Sequence, residues 1–597
     1  MKSPLSLTWD LESIFPGGSG SPEFERHLDE LAQAVADVRK RLDALTVPQD
    51  PSQAGQIAEI VGELQAIGQK ERQASSFVAC LLAQDVTDRR APVLRARVDR
   101  LGAELSKAWV AADALFLSID DGLWTKLLDA PELAAVSEPL DERRRRAKQR
   151  LEPQVEALVR DVDVDGYHAW GQLYDFIAGS IRIPFEEDGK VVQLSAGQAQ
   201  NKFFFDPDRS VRERVFRLYE DAWEANAELC ARALNHLGGF RLALYRNRGW
   251  ESVLFEPLEN NRMEQATLDA MWAAVSEGKP LLKRYLERKA RLLGIDALCY
   301  FDVNAPVGRV SSAWSYDYAA NFIVTQLGRF SRKMADLARQ AFERRWIEAE
   351  DRPGKRPGGF CAWLPATAES RIFLTFDNSI GTASTIAHEL GHAYHHAALD
   401  GKPELRTRYP LNLAETASTL AELIVADAGM RAAQDADERL ALLDAKVQDT
   451  VAFFMNIHAR FLFEVEFYKE RASGMVPAAR LNELMLEAQQ QGYGGALAVY
   501  HPYLWASKLH FYRTRSPFYN FPYTFGYLFS YGVLEWALEE KDDFDQRYQS
   551  LLEDTGYMRT EALARKHFGV DLTDVEFWRG AVKRALAAVE EFLRATE

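Results

Sequence analysis

Cysteine is scarce in this chain, with four residues, Cys80, Cys230, Cys299 and Cys361, among 597. They are widely separated and form no C-x-x-C pair, which excludes a disulfide framework and a cysteine-built zinc site and fits a reducing compartment. Positive charge is also in deficit. Lys and Arg total 72 against 88 Asp and Glu, a formal net charge of −16, so sequence-independent attraction to phosphate backbones is missing and nucleic acid is not an expected partner. The densest basic stretch, Arg143 to Arg146 followed by Lys148 and Arg150, lies in a helical segment and reads as a solvated face. No stretch approaches the roughly 18 uninterrupted apolar residues of a membrane helix. The first residues meet Asp10 and Glu12 early and lack the apolar core of a secretory signal. A cytoplasmic protein with no membrane partner is therefore expected. Internal repeats and low-complexity tracts are absent as well.

What the chain does have is helical patterning. Hydrophobic residues make up 47% of it, enough for a large core. From about Glu23 to Leu133 they recur at three and four positions, as in Leu28, Leu31, Val35, Val38 and Leu42, which predicts stacked amphipathic helices. Strand character first appears between Ser180 and Leu194, where two short apolar runs flank Glu-Glu-Asp-Gly, a hairpin signal. A boundary is placed there, giving an N-terminal helical domain over 1–190 and a catalytic domain over 191–597. Asp206 to Ser210 opens a helical run from Val211 to Leu244, and Asn304 to Ser312 reads as a loop. Residues 351–359 are rich in Gly and Pro, and Arg371 to Phe376 reads as a short strand before another helix.

That helix carries the chemistry. Residues 388 to 392 read His-Glu-Leu-Gly-His within a helical segment from Ser384 to Leu399, opened by Thr382 or Ser384 and closed by Asp400-Gly401. One turn apart, His388 and His392 share a face and can converge on one zinc ion, with Glu389 beside the metal as a general base. A catalytic zinc needs a third protein ligand. The metzincin spacing fails because the positions three and six residues after His392 hold His395 and Ala398. His395 and His396 lie on the same helix but would have to reach past the first pair. Glu415, on a second helix after a Gly/Pro-containing loop, is the better candidate, although Asn412 to Glu415 also fits a capping box. Glu422, two turns on, faces the same way and can hold the second nitrogen of a zinc histidine.

The set His388-Glu389-Leu390-Gly391-His392, Glu415-Thr416-Ala417-Ser418 and Glu422 resembles the M3 family of zinc metallopeptidases, in particular the oligoendopeptidase F branch. Trp9 to Phe15, Pro357 to Cys361 and Arg371 to Phe376 resemble further segments of that branch. The resemblance implies a mainly α fold. It implies a large two-part helical body with a deep central channel, a small β element near the zinc helix and a gluzincin-type H-E-x-x-H site with one Zn2+. It implies oligopeptide substrates, and it carries oxyanion stabilisation over to His510, Tyr519 and Tyr523. His501 is a rival to His510, a role for Tyr527 is doubtful, and Tyr512 and Tyr531 read as core. The strand 371–376 is expected to pair with an extended peptide. A zinc hydrolase of non-peptide amides and a peptide-binding protein with a dead site are the alternatives. Monomer and homo-oligomer stay undecided.

Overall fold

The computed structural model describes residues 4–187, 189–309, 313–539 and 544–597. Helices dominate. Seven short strands occur among the described residues: β1 (Ile183–Glu187), β2 (Lys190–Leu194), β3 (Leu298–Cys299), β4 (Ile347–Glu348), β5 (Phe360–Leu364), β6 (Glu369–Phe373) and β7 (Leu497–Val499). No helix among the described residues is long and apolar enough to cross a membrane. The four cysteines are free thiols.

Contacts divide the chain into two units, each assembled from three segments. One comprises Met1–Arg150, Ser312–Gly429 and Val533–Phe568, and the other Leu151–Ser311, Met430–Gly532 and Gly569–Glu597. This division differs from the expected cut at residue 190. Helical periodicity reports which face of a segment is buried but not which distant segment buries it, so a chain that crosses over several times leaves no local signal.

In the first unit, the helix Pro22–Ala44 begins at Ser21, whose side chain accepts from Phe24 N, and buries Phe24, Leu28, Leu31, Val35, Val38 and Leu42. It packs with the helices Ala54–Gln84 and Ala91–Leu117 around a core that includes Ile57, Leu64, Trp109 and Phe116. The arginine run is not a solvated face. Arg144 is 4% exposed and donates to Phe116 O at 2.8 Å, while Arg143 pairs with Asp113 at 3.0 Å and covers the Trp109 ring. These guanidiniums satisfy the terminal carbonyls and a buried carboxylate of the neighbouring helix, a use that a charge count does not reveal.

The same unit holds a three-stranded sheet in the order β4-β6-β5, with β4 parallel and β5 antiparallel to β6. The strand expected at 371–376 lies at 369–373 and is the central strand, paired with β5 along its length and with the two-residue β4 at Ile372 and Phe373, so it is not an open edge for a peptide. β4 and β5 are the edge strands, and β5 is the longer. Trp9 packs on Phe373 at 5.7 Å, and the fully buried Arg371 donates to Asp10 O and Ser13 Oγ. The N-terminal segment Trp9 to Ser13 thus clamps the back of the sheet.

In the second unit, β1 and β2 form the expected antiparallel hairpin, with Gly189 at φ 74° and Asp188 outside the described residues. β3 and β7 pair in parallel. Asp208 caps the next helix through Ser210 N, as expected, but the run from Val211 to Leu244 is two helices, Arg209–Glu224 and Ala227–Arg248. The break falls at Asn226, whose amide donates to Ala222 O at 2.8 Å and so competes with the backbone ladder. The expected loop after Asn304 carries no regular element up to residue 309, and residues 310–312 lie outside the described ones.

Candidate metal centre

The helix bearing His388 runs from Ile380 to Ala398 and starts earlier than expected, because Ser379 is the cap and accepts from Thr382 N. The helix bearing Glu415 runs from Leu411 to Ala432. Asn412 is therefore already inside it, fully buried and donating to Thr560 Oγ1 at 3.2 Å, so the capping-box alternative for Glu415 fails. The two helices touch at Gly391. A Cβ there would stand 2.3 Å from Ala417 O and 2.5 Å from Ser418 Cα, so only glycine allows this approach.

That approach brings three donors together. Ligand atoms of His388, His392 and Glu415 all lie within 4.8 Å of one another. Glu415 Oε2 is 3.3 Å from His388 Nε2 and 3.6 Å from His392 Nε2. Two imidazole nitrogens and a carboxylate oxygen are the donor set of a catalytic zinc site. Burial would raise the pKa of Glu415, but the hydrogen bond from His388, the two imidazoles and the Ser418 hydroxyl, 2.7 Å from Oε2, bring it down to about 2. Burial would likewise lower His388, yet the carboxylates of Glu415 and Glu422 carry it up to about 10; His392 is taken by burial down to about 4. The cradle around His388 thus favours positive charge, as a cation site requires.

Glu422 lies where expected, with Oε2 2.9 Å from His388 Nδ1. This contact leaves Nε2 facing Glu415 and His392. Glu389 is 7% exposed, its Oε2 has no hydrogen-bond partner, and burial pushes its pKa up to about 7. A Cβ built on Gly359, just ahead of β5, would stand 3.4 Å from Glu389 Oε1, so the start of the edge strand lies over this carboxylate.

The neighbouring histidines are structural. His395 bonds Thr555 Oγ1 at 2.8 Å and stacks on Tyr409, and His396 bonds Ser370 Oγ at 3.1 Å and stacks on Trp363. Neither belongs to the group of converging ligand atoms, which is His388, His392 and Glu415, and this removes them as third ligands.

In the second unit, His510, Tyr519 and Tyr523 form a cluster of their own. The His510 and Tyr519 rings stack at 5.4 Å, and Tyr523 donates to the Tyr519 hydroxyl at 2.9 Å. Burial, then the cations Arg460, Lys508 and Arg513, takes the His510 pKa down to about 3, so the ring is neutral and carries one N–H. His501 is 1% exposed and is engaged by Glu220 at 3.2 Å and Ser507 at 3.1 Å, which removes it as a rival. Tyr527 bonds Thr450 at 2.8 Å in the core, and Tyr512 stacks on Tyr174 at 3.6 Å.

Sequence reasoning missed what aims this cluster. Phe518 sits at φ 52°, a left-handed backbone unusual for a bulky residue, and donates its N–H to the buried Glu464 Oε1 at 3.1 Å. Arg460 donates to the side-chain Oδ1 of Asn520 at 3.0 Å. No local pattern announces these contacts. Gly391 and Ser418 carry the family resemblance in the sequence, but their roles, the close helix approach at Gly391 and the hydroxyl on Glu415 Oε2, are visible only in the structure.

Known proteins place the chain. The sequence profile of peptidase family M3 matches residues 204–583, and that of oligopeptidase F matches 116–183. The chain is similar to an oligoendopeptidase F homolog of Lactococcus lactis, 23% identical over 96% of this chain and 94% of the relative. In fold it is similar to a solved protein from Chlamydophila abortus, with a TM-score of 0.82 at 19% identity over 100% of this chain and 99% of the other. It is also similar in fold to oligoendopeptidase F from Enterococcus faecium, with a TM-score of 0.70 at 18% identity over 96% and 99% of the two chains. With the M3 profile covering more than half of its length and a three-residue metal cluster built on H-E-x-x-H, the chain belongs to peptidase family M3 and is a metalloendopeptidase.

Proposed function

We propose that the chain is a zinc-dependent oligoendopeptidase that cuts internal bonds of short, unstructured peptides, with His388, His392 and Glu415 holding one zinc ion. The observation that carries this reading is the convergence of those three donors within 4.8 Å, with the unpartnered carboxylate of Glu389 beside them. Bound there, a zinc ion would supply Lewis acidity and would make water acidic enough to lose a proton near neutral pH. Glu389 takes the proton of the attacking water and hands it to the leaving nitrogen, a role suited to a buried carboxylate with a pKa near neutrality. Glu422 fixes the tautomer of His388. His510, Tyr519 and Tyr523 donate hydrogen bonds to the oxyanion, and loss of one such donor typically costs about a hundredfold to a thousandfold in turnover.

The substrate lies extended along the free edge of β5, adding a strand by main-chain hydrogen bonds and so tolerating varied side chains. Family likeness supports a deep channel that admits oligopeptides and excludes folded chains. The four free thiols support a reducing, cytoplasmic setting. The test is a chelator-sensitive cleavage assay on peptides of graded length, with cut sites read by mass spectrometry. Internal cuts in short peptides that stop on chelation are expected. Cleavage that persists without metal, or hydrolysis confined to non-peptide amides, contradicts the reading.

A further inference from the structure

The second unit contains a cavity of about 600 Å3 whose lining includes Val164, His168, Asp175, Leu509, Arg513 and Arg515. Its charges are unusual for a chain of net charge −16. Elsewhere carboxylates are drawn to guanidiniums in numbers, as Glu470, Glu483 and Glu487 are to Arg480. Arg513 and Arg515 are exposed, and neither makes an ion pair among the described residues. Asp175 lines the same cavity; it forms no close ion pair with either arginine, but it lies within electrostatic reach of Arg513, which partly offsets the effect of burial on its carboxyl. His168 is engaged by Thr514 Oγ1 at 2.7 Å and lies 3.6 Å from Asp163 Oδ1.

The loop that carries the two arginines is held by its backbone, so no hydrogen bond that anchors the loop uses either guanidinium. Arg241 donates to Arg513 O, Tyr167 donates to Thr514 O at 3.0 Å, and Gly171 lets the loop approach so closely that a Cβ there would stand 3.1 Å from Tyr512 O. Val164 and Leu509 are 54% and 46% exposed and give the cavity apolar wall. The Arg513 guanidinium also lies 4.2 Å above the Tyr519 ring, which joins the cavity to the His510–Tyr519 cluster.

We propose that this cavity binds the C-terminal end of a peptide: its free carboxylate by Arg513 and Arg515, its last side chain, apolar, against Val164 and Leu509. A planar guanidinium pair on a preorganised loop suits a carboxylate better than any other group a peptide of natural residues must carry. The proposal rests on the reading of peptides as substrates. It explains how a sequence-tolerant peptidase recognises short chains, because the C-terminal carboxylate is the one anionic group that every unmodified peptide shares.

The test is calorimetric titration of the full-length protein with an N-acetylated apolar tetrapeptide, as the free acid and as the C-terminal amide. The acid is expected to bind about tenfold tighter or more, the gap to close in the double variant R513Q/R515Q, and a reduced part of it to survive in R513K/R515K, which keeps the charge and loses the fork. Equal binding of acid and amide overturns the proposal. So does an acid preference that persists in R513Q/R515Q, since the carboxylate would then be held elsewhere, for instance at the metal. Thermal midpoints check that the variants fold, and the lysine pair decides the matter if the glutamine pair does not. Failure of the peptidase reading shows separately, as absence of chelator-sensitive cleavage.

Discussion

Glu389 holds one carboxylate oxygen buried and unpartnered beside His388 and His392, a costly state unless that oxygen serves a proton transfer. Glu389→Gln keeps the shape and removes the base. Turnover is expected to fall by about 10²–10⁴-fold with metal content unchanged, as read by steady-state kinetics and elemental analysis on one preparation. Glu422 works through His388. Glu422→Ala is expected to weaken metal affinity by about 10–100-fold in a competition titration with a chelating dye, while leaving the ligands in place. An unchanged affinity would make Glu422 an ordinary surface carboxylate. Both residues were legible in the sequence, because an H-E-x-x-H turn and a carboxylate two turns along a helix fix the faces they occupy.

Between elements, the decisive contact is Gly391 against Ala417 and Ser418. Gly391→Ala overpacks that crossing and is expected to cost about 1–3 kcal/mol in denaturant melts, with a parallel loss of metal affinity because Glu415 moves with its helix. The loop 518–523 is the other sensitive element. Burial raises Glu464 from the ordinary 4.5 to about 7, outweighing Arg241, the Phe518 N–H and Arg460. A carboxyl whose pKa is raised on folding adds stability that is fully present below the unfolded value and is lost as pH rises through the folded one. Stability is therefore expected to decline between pH 4.5 and about 7, by at most about 3 kcal/mol from this group, and Glu464→Gln is expected to flatten that decline in thermal melts across the range. These contacts were not legible. Phe518 carries no sequence mark of a left-handed backbone, and its partner Glu464 is distant in the chain. The strand at 369–373 was legible as a strand but not as the middle of a sheet, because β4 has only two residues to announce itself.

At the scale of the whole molecule, helical class followed directly from periodicity, while the two interleaved units did not, since each gathers three separated stretches of chain. What remains is the proposal of a metal held by side chains from two helices that only folding brings together. Elemental analysis of the purified protein and of Glu415→Ala tests this most directly. The account predicts about one zinc per chain in the parent protein and little retained metal in the variant, with the fold intact by circular dichroism. Full zinc occupancy in Glu415→Ala would contradict it.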